Sequence, residues 1–329
     1  MDCQASNKVI FDREVARLDG KKMYLCKKCV PLDRTIKIGT RGSKLALWQA
    51  RFTQEKLKAI GVSAELEIIK TKGDKIQDLS FDKIEGKGFF TKEIEDSLLA
   101  GKVDLAVHSM KDLPTTSPEG LVIGAVSYRE DPADWLVVRR EQVEEGQLFN
   151  LPKGAVVGTS SARRKAQMLN FRPDIELKDI RGNVPTRLAK LEAGDFDAIL
   201  LAAAGLSRLE LDLSHLMVIK LNPKEFVPAP AQGVLAFQTV VDNKDIRRVL
   251  QKIHHPEVSK RTNIERKVLQ LFEGGCHMPL GVYCETDPQG NYHVWAAKAD
   301  SWESPVKSVR LSSSTSFELP EQVVAALRQ

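Results

Sequence analysis

Beyond residue 34 the apolar positions fall into short continuous runs, each followed by a stretch in which apolar side chains recur at helical spacing. Residues 36–39 read as a strand, and Ser43 can cap a helix whose apolar face is Leu45, Trp48, Phe52 and Leu57. A strand at 66–69 follows, then a polar stretch over 71–88, rich in glycine and lysine, that reads as a mobile loop. A helix over 90–99 leads to a strand at 104–107, which ends in His108-Ser109-Met110-Lys111-Asp112. The series then starts again. A strand at 134–138 opens the second series, strands at 155–157 and 175–180 run into helices, and Ser160 or Ser161 can cap the one that carries Ala166, Met168 and Leu169. Asn183 can cap the next, with Pro185 at an early helical position. After residue 245 come a helix over 246–253, an amphipathic helix over 258–272, strands around 282–283, 292–295 and 306–311, and a last helix from Glu321.

The two series echo each other. Gly39-Thr40-Arg41-Gly42-Ser43-Lys44 and Gly158-Thr159-Ser160-Ser161-Ala162-Arg163-Arg164 each run from a strand into a helix N-terminus, and Gly101-Lys102-Val103-Asp104 matches Gly194-Asp195-Phe196-Asp197. Glu130-Asp131-Pro132 reads as a crossing between two α/β domains, and the proline-rich 226–233 as the return. The expected domains are 34–128 with 230–255, then 129–229, then a small α+β domain over 256–329, preceded by a solvated extension, 1–33. Ligands sit at the carboxyl ends of such strands, so Arg41, Lys111, Arg163, Arg164, Arg181 and Arg187 would share one cleft. Arg163 and Arg164 stand in the first turn of their helix, where the helix dipole disfavours cations, so something negative should compensate them. Guanidiniums around two helix N-termini suit a ligand with several carboxylates or phosphates.

Composition narrows the class. The chain has 329 residues, 42% hydrophobic and 28% charged, an ordinary globular make-up. A net charge of +5 is too small for a general nucleic-acid binder and fits a local basic cleft. No apolar run reaches membrane-spanning length, and the first residues lack the basic start and apolar run of a secretory signal, so a cytoplasmic protein is expected. Five cysteines, clustered towards the two ends, make no disulfide framework. Cys26-Lys27-Lys28-Cys29 is half of a zinc-site spacing without a matching pair, and no metal is expected.

Among single residues, Cys276 sits in a loop between glycine and proline, where its thiol can protrude, whereas Cys284 belongs to an alternating strand. Asp112, at a strand end, suits either a catalytic carboxylate or a partner for Lys111. His108 reads as a buried, hydrogen-bonded strand residue. Gln232 could touch ligand or close the crossing.

Thr40-Arg41-Gly42-Ser43-Lys44-Leu45-Ala46-Leu47-Trp48-Gln49, Gly86-Lys87-Gly88-Phe89-Phe90, His108-Ser109-Met110-Lys111-Asp112, Arg129-Glu130-Asp131-Pro132, Gly158-Thr159-Ser160-Ser161-Ala162-Arg163-Arg164, Arg181-Gly182-Asn183 and Glu273-Gly274-Gly275-Cys276 occur in that order. Together they closely resemble the hydroxymethylbilane synthase (porphobilinogen deaminase) family over residues 35 to about 285. The resemblance implies two class II periplasmic-binding-protein-like α/β domains around a cleft, plus a small α+β C-terminal domain. It implies a dipyrromethane cofactor joined by a thioether to Cys276. Four porphobilinogens would be condensed head to tail with loss of ammonia, and water would release the linear tetrapyrrole. Asp112 matches the catalytic carboxylate. Ser43, Lys87, Lys111, Thr159, Ser160, Arg163, Arg164 and Arg187 match cofactor-binding positions. Arg41, Ser43, Arg181, Arg187, Arg208 and Gln232 match substrate-binding ones. A monomer without nucleic-acid or membrane partners is expected.

Two departures bear on this. Ala231 stands where the family has glycine before the crossing glutamine, which touches hinge flexibility, and residues 1–33 have no counterpart. A solute-binding protein would share the cleft but has no need of Cys276. A polyanion-binding module would share the arginines but usually adds stacking aromatics, and aromatics are 6% here.

Overall fold

The computed structural model describes residues 14–18, 21–25, 34–71, 91–275 and 278–329. Cys26, Cys29, Lys87, Cys276 and the loop expected at 71–88, from residue 72 on, lie outside the described residues. Strands β1 (Glu14–Leu18) and β2 (Lys21–Leu25) pair antiparallel, Glu14 opposite Leu25, as a sheet of their own. The weak periodicity of the extension gave no sign of this hairpin.

In the first large sheet β3 (Ile36–Thr40) runs parallel to β4 (Ala64–Ile68) and β5 (Leu105–Ser109). Helix α1 (Lys44–Ala59) joins β3 to β4, and α2 (Lys92–Leu99) precedes β5. Ser43 caps α1 by accepting the Ala46 N–H at 3.3 Å. The buried face of α1 is Gln49, Ala50, Thr53 and Leu57. Trp48 and Phe52, expected on that face, are only half-buried and stack on each other with centroids 5.4 Å apart. Strand β6 (Leu121–Val126) closes one edge of the sheet.

The chain then crosses to a second sheet containing β7 (Asp134–Arg139), β8 (Val156–Gly158), β9 (Glu176–Lys178), β10 (Ala198–Ala202) and β11 (Leu216–Lys220). Its helices are α3 (Ala162–Phe171), α4 (Val184–Glu192) and α5 (Ala203–Leu209). Ser161, rather than Ser160, caps α3, and Asn183 caps α4. The chain returns as β12 (Leu235–Val240), which lies antiparallel between β5 and β6.

The strand orders are β4-β3-β5-β12-β6 and β9-β8-β10-β7-β11. Each is three parallel strands, then one antiparallel strand arriving from across the molecule, then a last edge strand. The sequence echo at residues 39–44 and 158–164 is thus one topology used twice. Both faces of the first sheet are covered: Ile36, Ile38, Leu105, Phe237 and Leu250 pack on one side, and Ile94, Leu98 and Ala106 on the other. Each large side chain sealed there contributes about 1.5–3 kcal/mol, and burial on both faces is why β5 opens on the unbroken apolar run Leu105-Ala106-Val107.

After α6 (Lys244–Gln251), helices α7 (Pro256–Leu271) and α8 (Leu319–Arg328) pack on a three-stranded antiparallel sheet of β13 (Leu280–Thr286), β14 (Tyr292–Lys298) and β15 (Lys307–Ser313). Ile264, Val268, Val282, Val294 and Val323 form its core together with Cys284. The crossing strands press together where Glu130 N–H donates to the Gly233 carbonyl at 3.1 Å. Gly233 has φ +90°, and a Cβ there would sit 2.5 Å from the Glu130 oxygen, so only glycine fits. Ala231, with φ +61° and fully buried, holds the left-handed conformation that glycine adopts without strain.

Candidate active site

Every candidate among the described residues stands at the carboxyl end of a parallel strand or in the return crossing. Arg41 and Ser43 follow β3, Lys111 and Asp112 follow β5, and Thr159, Ser160, Arg163 and Arg164 follow β8. Arg181 lies between β9 and α4, Arg187 is in the first turn of α4, Arg208 is on the helix after β10, and Gln232 precedes β12.

Asp134, the first residue of β7, organises the arginine pair. Its Oδ2 accepts from Arg163 Nη1 at 2.7 Å, and its Oδ1 accepts from Arg164 Nη2 at 2.8 Å and Nε at 3.1 Å. The negative group that the cations at this helix N-terminus required is therefore supplied from within the fold. Burial alone would raise the Asp134 carboxyl, but Arg163 and Arg164 outweigh it and hold the group well below the usual carboxylate range. Arg163 also donates to the Val227 carbonyl and Arg164 to that of Leu200, so both guanidiniums are locked in place.

Gln232 extends this network to the first sheet. Its Nε2 donates to Asp134 Oδ1 at 2.9 Å and to the Pro132 carbonyl at 2.8 Å, while its Oε1 accepts from Lys111 Nζ at 3.2 Å. Of the two roles open to Gln232, closing the crossing is the one its contacts describe. Burial pushes Lys111 down to about 8, with Asp112 opposing and Arg164 adding to the fall. Asp112 itself is exposed, in a three-residue 3₁₀ turn, Met110–Asp112, that continues β5.

The remaining cations surround this centre. Burial, then repulsion from Arg164 and Arg181, lowers Arg187 to about 10, and its Nε donates to the Gly182 carbonyl at 2.8 Å. Arg208 is buried, donates to the Gly233 carbonyl at 2.7 Å and lies over the Trp48 ring at 5.6 Å, which accounts for the half-buried Trp48 of α1. Its Nε is buried without a hydrogen-bond partner. The Ser160 hydroxyl is engaged by the Ile180 backbone, donating at 2.8 Å and accepting at 3.0 Å, and Thr159 is buried with its hydroxyl accepting the Ser161 N–H. His108 is buried against Gln238 at 3.1 Å, as expected, and desolvation takes it to about 4. Burial drives the Cys284 thiol far above its ordinary value, so it stays protonated and inert.

A cavity of about 400 Å³ opens between Ser160, Ala162 and Lys165 on one side and Met278, Pro279, Lys298 and Trp302 on the other. Met278 is the second residue after Cys276. No group of three or more His, Cys, Asp or Glu that could hold a metal occurs among the described residues, and no helix among them is long and apolar enough to cross a membrane.

The sequence reading missed Asp134, Arg129, Glu265 and Arg266. Glu265 is fully buried on α7, takes both guanidinium arms of Arg129 at 2.6 and 3.2 Å, and accepts the N–H groups of Ala231 at 2.6 Å and Cys284 at 2.7 Å. The available signals were an aspartate opening an otherwise apolar strand, and a Glu-Arg pair between Ile264 and Val268 on the apolar face of a helix.

Twin mixed α/β sheets with cation-rich turns at their strand ends, joined by a third, antiparallel sheet, define the class: a two-sheet α/β protein with a basic site at its strand ends. Residues 36–248 match a family model described as "Porphobilinogen deaminase, dipyromethane cofactor binding domain". The porphobilinogen deaminase of Syntrophobacter fumaroxidans is 47% identical over 251 residues, 76% of this chain and 79% of that one. That of Chloroherpeton thalassium is 41% identical over 296 residues, 89% of this chain and 92% of its own. Among solved structures, the periplasmic VFT2 domain of Bordetella pertussis BvgS shares 13% identity at a TM-score of 0.40, covering 67% of this chain and 86% of that one, a likeness too slight to carry argument. The chain belongs to the porphobilinogen deaminase family. It is a transferase that condenses porphobilinogen to hydroxymethylbilane in tetrapyrrole biosynthesis, and its cofactor is dipyrromethane.

Proposed function

We propose that Asp112 is the catalytic carboxylate of this deamination and that the surrounding cations hold the acetates and propionates of cofactor and substrate. The observation that carries the reading is an exposed carboxylate, at the end of β5, beside a half-buried lysine that also feels two buried arginines sharing one counterion. The cavity between the Ser160 turn and Met278 fits a small polycarboxylate: Lys165 and Lys298 line it, and Met278 is two residues after Cys276 in the sequence. The dipyrromethane, joined to Cys276, supplies the nucleophilic pyrrole carbon on which condensation starts.

Arg163, Arg164, Lys111, Arg187, Ser43, Thr159, Ser160 and Lys87 are the proposed contacts to the cofactor. Arg41, Ser43, Arg181, Arg187, Arg208 and Gln232 are the proposed contacts to substrate. Each porphobilinogen brings two carboxylates, and bidentate guanidiniums match them. Loss of ammonia leaves the substrate pyrrole electron-poor, with positive charge on its nitrogen. Arginines cannot stabilise that charge. Asp112 can, by accepting the pyrrole N–H bond as the charge grows and by relaying the proton that the leaving amine needs. The enzyme is taken to work as a cytoplasmic monomer.

Asp112→Asn should retain the cofactor mass yet lose about 100-fold or more in turnover. Asp112→Glu should keep more, because it retains the charge but displaces it. Turnover of Asp112→Asn within a few-fold of wild type would reassign Asp112 to a structural partner of Lys111.

A further inference from the structure

We infer that Arg266 is a positioning residue: from the helix that leads to Cys276, it fixes the turn that carries Lys111 and Asp112. Arg266 Nη1 donates to the carbonyls of Met110 and Leu113, each at 3.0 Å, and Nη2 donates to that of Pro114 at 2.6 Å. These three carbonyls bracket Lys111 and Asp112 in the chain. Arg266 is buried and more than 150 residues away in sequence, so no local preference of the turn produces the contact.

The turn's own hydrogen bonding is weak. It is a single 3₁₀ turn, a geometry with poor internal hydrogen bonds, and its closing bond from Leu113 N–H to the Met110 carbonyl is long at 3.3 Å. On the incoming side the Met110 N–H donates to the Val234 carbonyl at 2.9 Å. On the outgoing side the Arg266 fork does the corresponding work. Packing anchors Met110 and Leu113 in a buried cluster with Val234 and Ala236, while a cavity of about 250 Å³ bordered by Ile123, His254, Asn263 and Arg266 lies beside Met110. The planar guanidinium meets the three carbonyls with two nitrogens held in a fixed fork, a geometry that the single nitrogen of an ammonium does not reproduce.

Helix α7 is itself immobilised through the neighbouring Glu265, which grips Arg129 and Ala231 of the two crossings and Cys284 of the third sheet. Five residues after Arg266 the helix ends at Leu271, and Cys276 follows in the next loop. One rigid helix therefore seats the carboxylate turn and leads directly to the cofactor cysteine. The inference rests on the reading of Asp112 as catalytic, and its test separates the two.

The full-length holoenzyme is compared with Arg266→Gln, Arg266→Lys and Asp112→Asn. The measurements are kcat and KM for porphobilinogen, intact mass for the cofactor, and amide exchange of a peptide covering residues 110–113. In Arg266→Gln kcat should fall about tenfold or more, in line with a small misplacement of a reacting group, while KM moves less than about threefold. The cofactor mass should remain and exchange in the peptide should quicken. Arg266→Lys, which keeps the charge without the fork, should recover part of kcat, and it carries the comparison if Arg266→Gln does not fold. Unchanged exchange, or wild-type kcat despite faster exchange, would overturn the positioning role. A loss that only tracks the unfolded fraction would do so too. Normal turnover in Asp112→Asn would instead sink the catalytic assignment, while the exchange measurement would still judge the clamp.

Discussion

Replacing Asp134 by asparagine removes the one carboxylate shared by Arg163 and Arg164 while keeping the side chain's shape. The wild-type carboxylate is fully buried and accepts from Arg163 at 2.7 Å, Arg164 at 2.8 and 3.1 Å, and Gln232 at 2.9 Å. Asparagine can still accept through one oxygen, but it turns an amide N–H₂ towards a guanidinium and leaves two buried cations without their shared anion. Breaking a buried pair in this way costs about 3–5 kcal/mol. That is a large part of the roughly 5–15 kcal/mol that holds an ordinary domain together. Urea unfolding at neutral pH, followed by far-UV circular dichroism, should show the midpoint fall accordingly.

The pH dependence gives a second check. The folded-state pKa is depressed below the unfolded value of 3.8, so the stability contributed by Asp134 is fully present above that value and is lost as pH falls towards the folded one. The gap between wild type and Asp134→Asn should be constant at neutral pH and shrink on acidification below about pH 4. A gap under about 1 kcal/mol, as for a surface pair, or one that ignores acid, would refute the account. In that event the arginines would be ligand-binding cations first and structural ones second.

Cys276→Ser should purify without the dipyrromethane mass while Cys284→Ser keeps it; an adduct on Cys276→Ser would move the thioether elsewhere. Burial lowers Lys111 from 10.5 to about 8, so between those values the unfolded chain holds a proton that the folded one has released, and this group's contribution to stability rises with pH across the window. If its charge holds ligand, kcat/KM should fall as pH rises through about 8, and Lys111→Arg should carry that fall to higher pH; identical alkaline limbs would remove Lys111 from binding. Deleting residues 1–33 should leave kcat within about twofold of wild type, since β1 and β2 form a separate sheet, and a folded but inactive product would show that the extension takes part.

How much of this could be read beforehand depended on local signals. The parallel strands and their helices were legible because each strand runs into a capped helix, and caps such as Ser43, Ser161 and Asn183 are written in a few adjacent residues. Strands β6, β11 and β12 were not recognised. Strand β11 leads into no motif, β6 runs into the Arg129–Pro132 crossing with no capped helix behind it, and β12, almost entirely buried, mixes Gln238 and Thr239 with its apolar residues and shows no alternation. The cations of the site were visible for the same local reason. Their counterion was not, because Asp134 is 29 residues before Arg163 and meets it only when β7 crosses into the second sheet. Glu265 and Arg266 were hidden in a helix read as amphipathic, their partners lying across four separate parts of the chain.

The placement of β12 also dictates the order in which the chain can be completed as it leaves the ribosome. Every strand of the second sheet lies between Asp134 and Lys220, so that sheet can close as soon as its own residues have emerged. The first sheet cannot. Its edge strand β6 finds its neighbour only in Leu235–Val240, and until those residues are synthesised the backbone groups along β5 and β6 face an open slot. Of the two large sheets, the one begun first is therefore finished last. During that interval it depends on the nascent chain's own return, and the exposed slot makes it the segment most open to chaperones or to a stray strand.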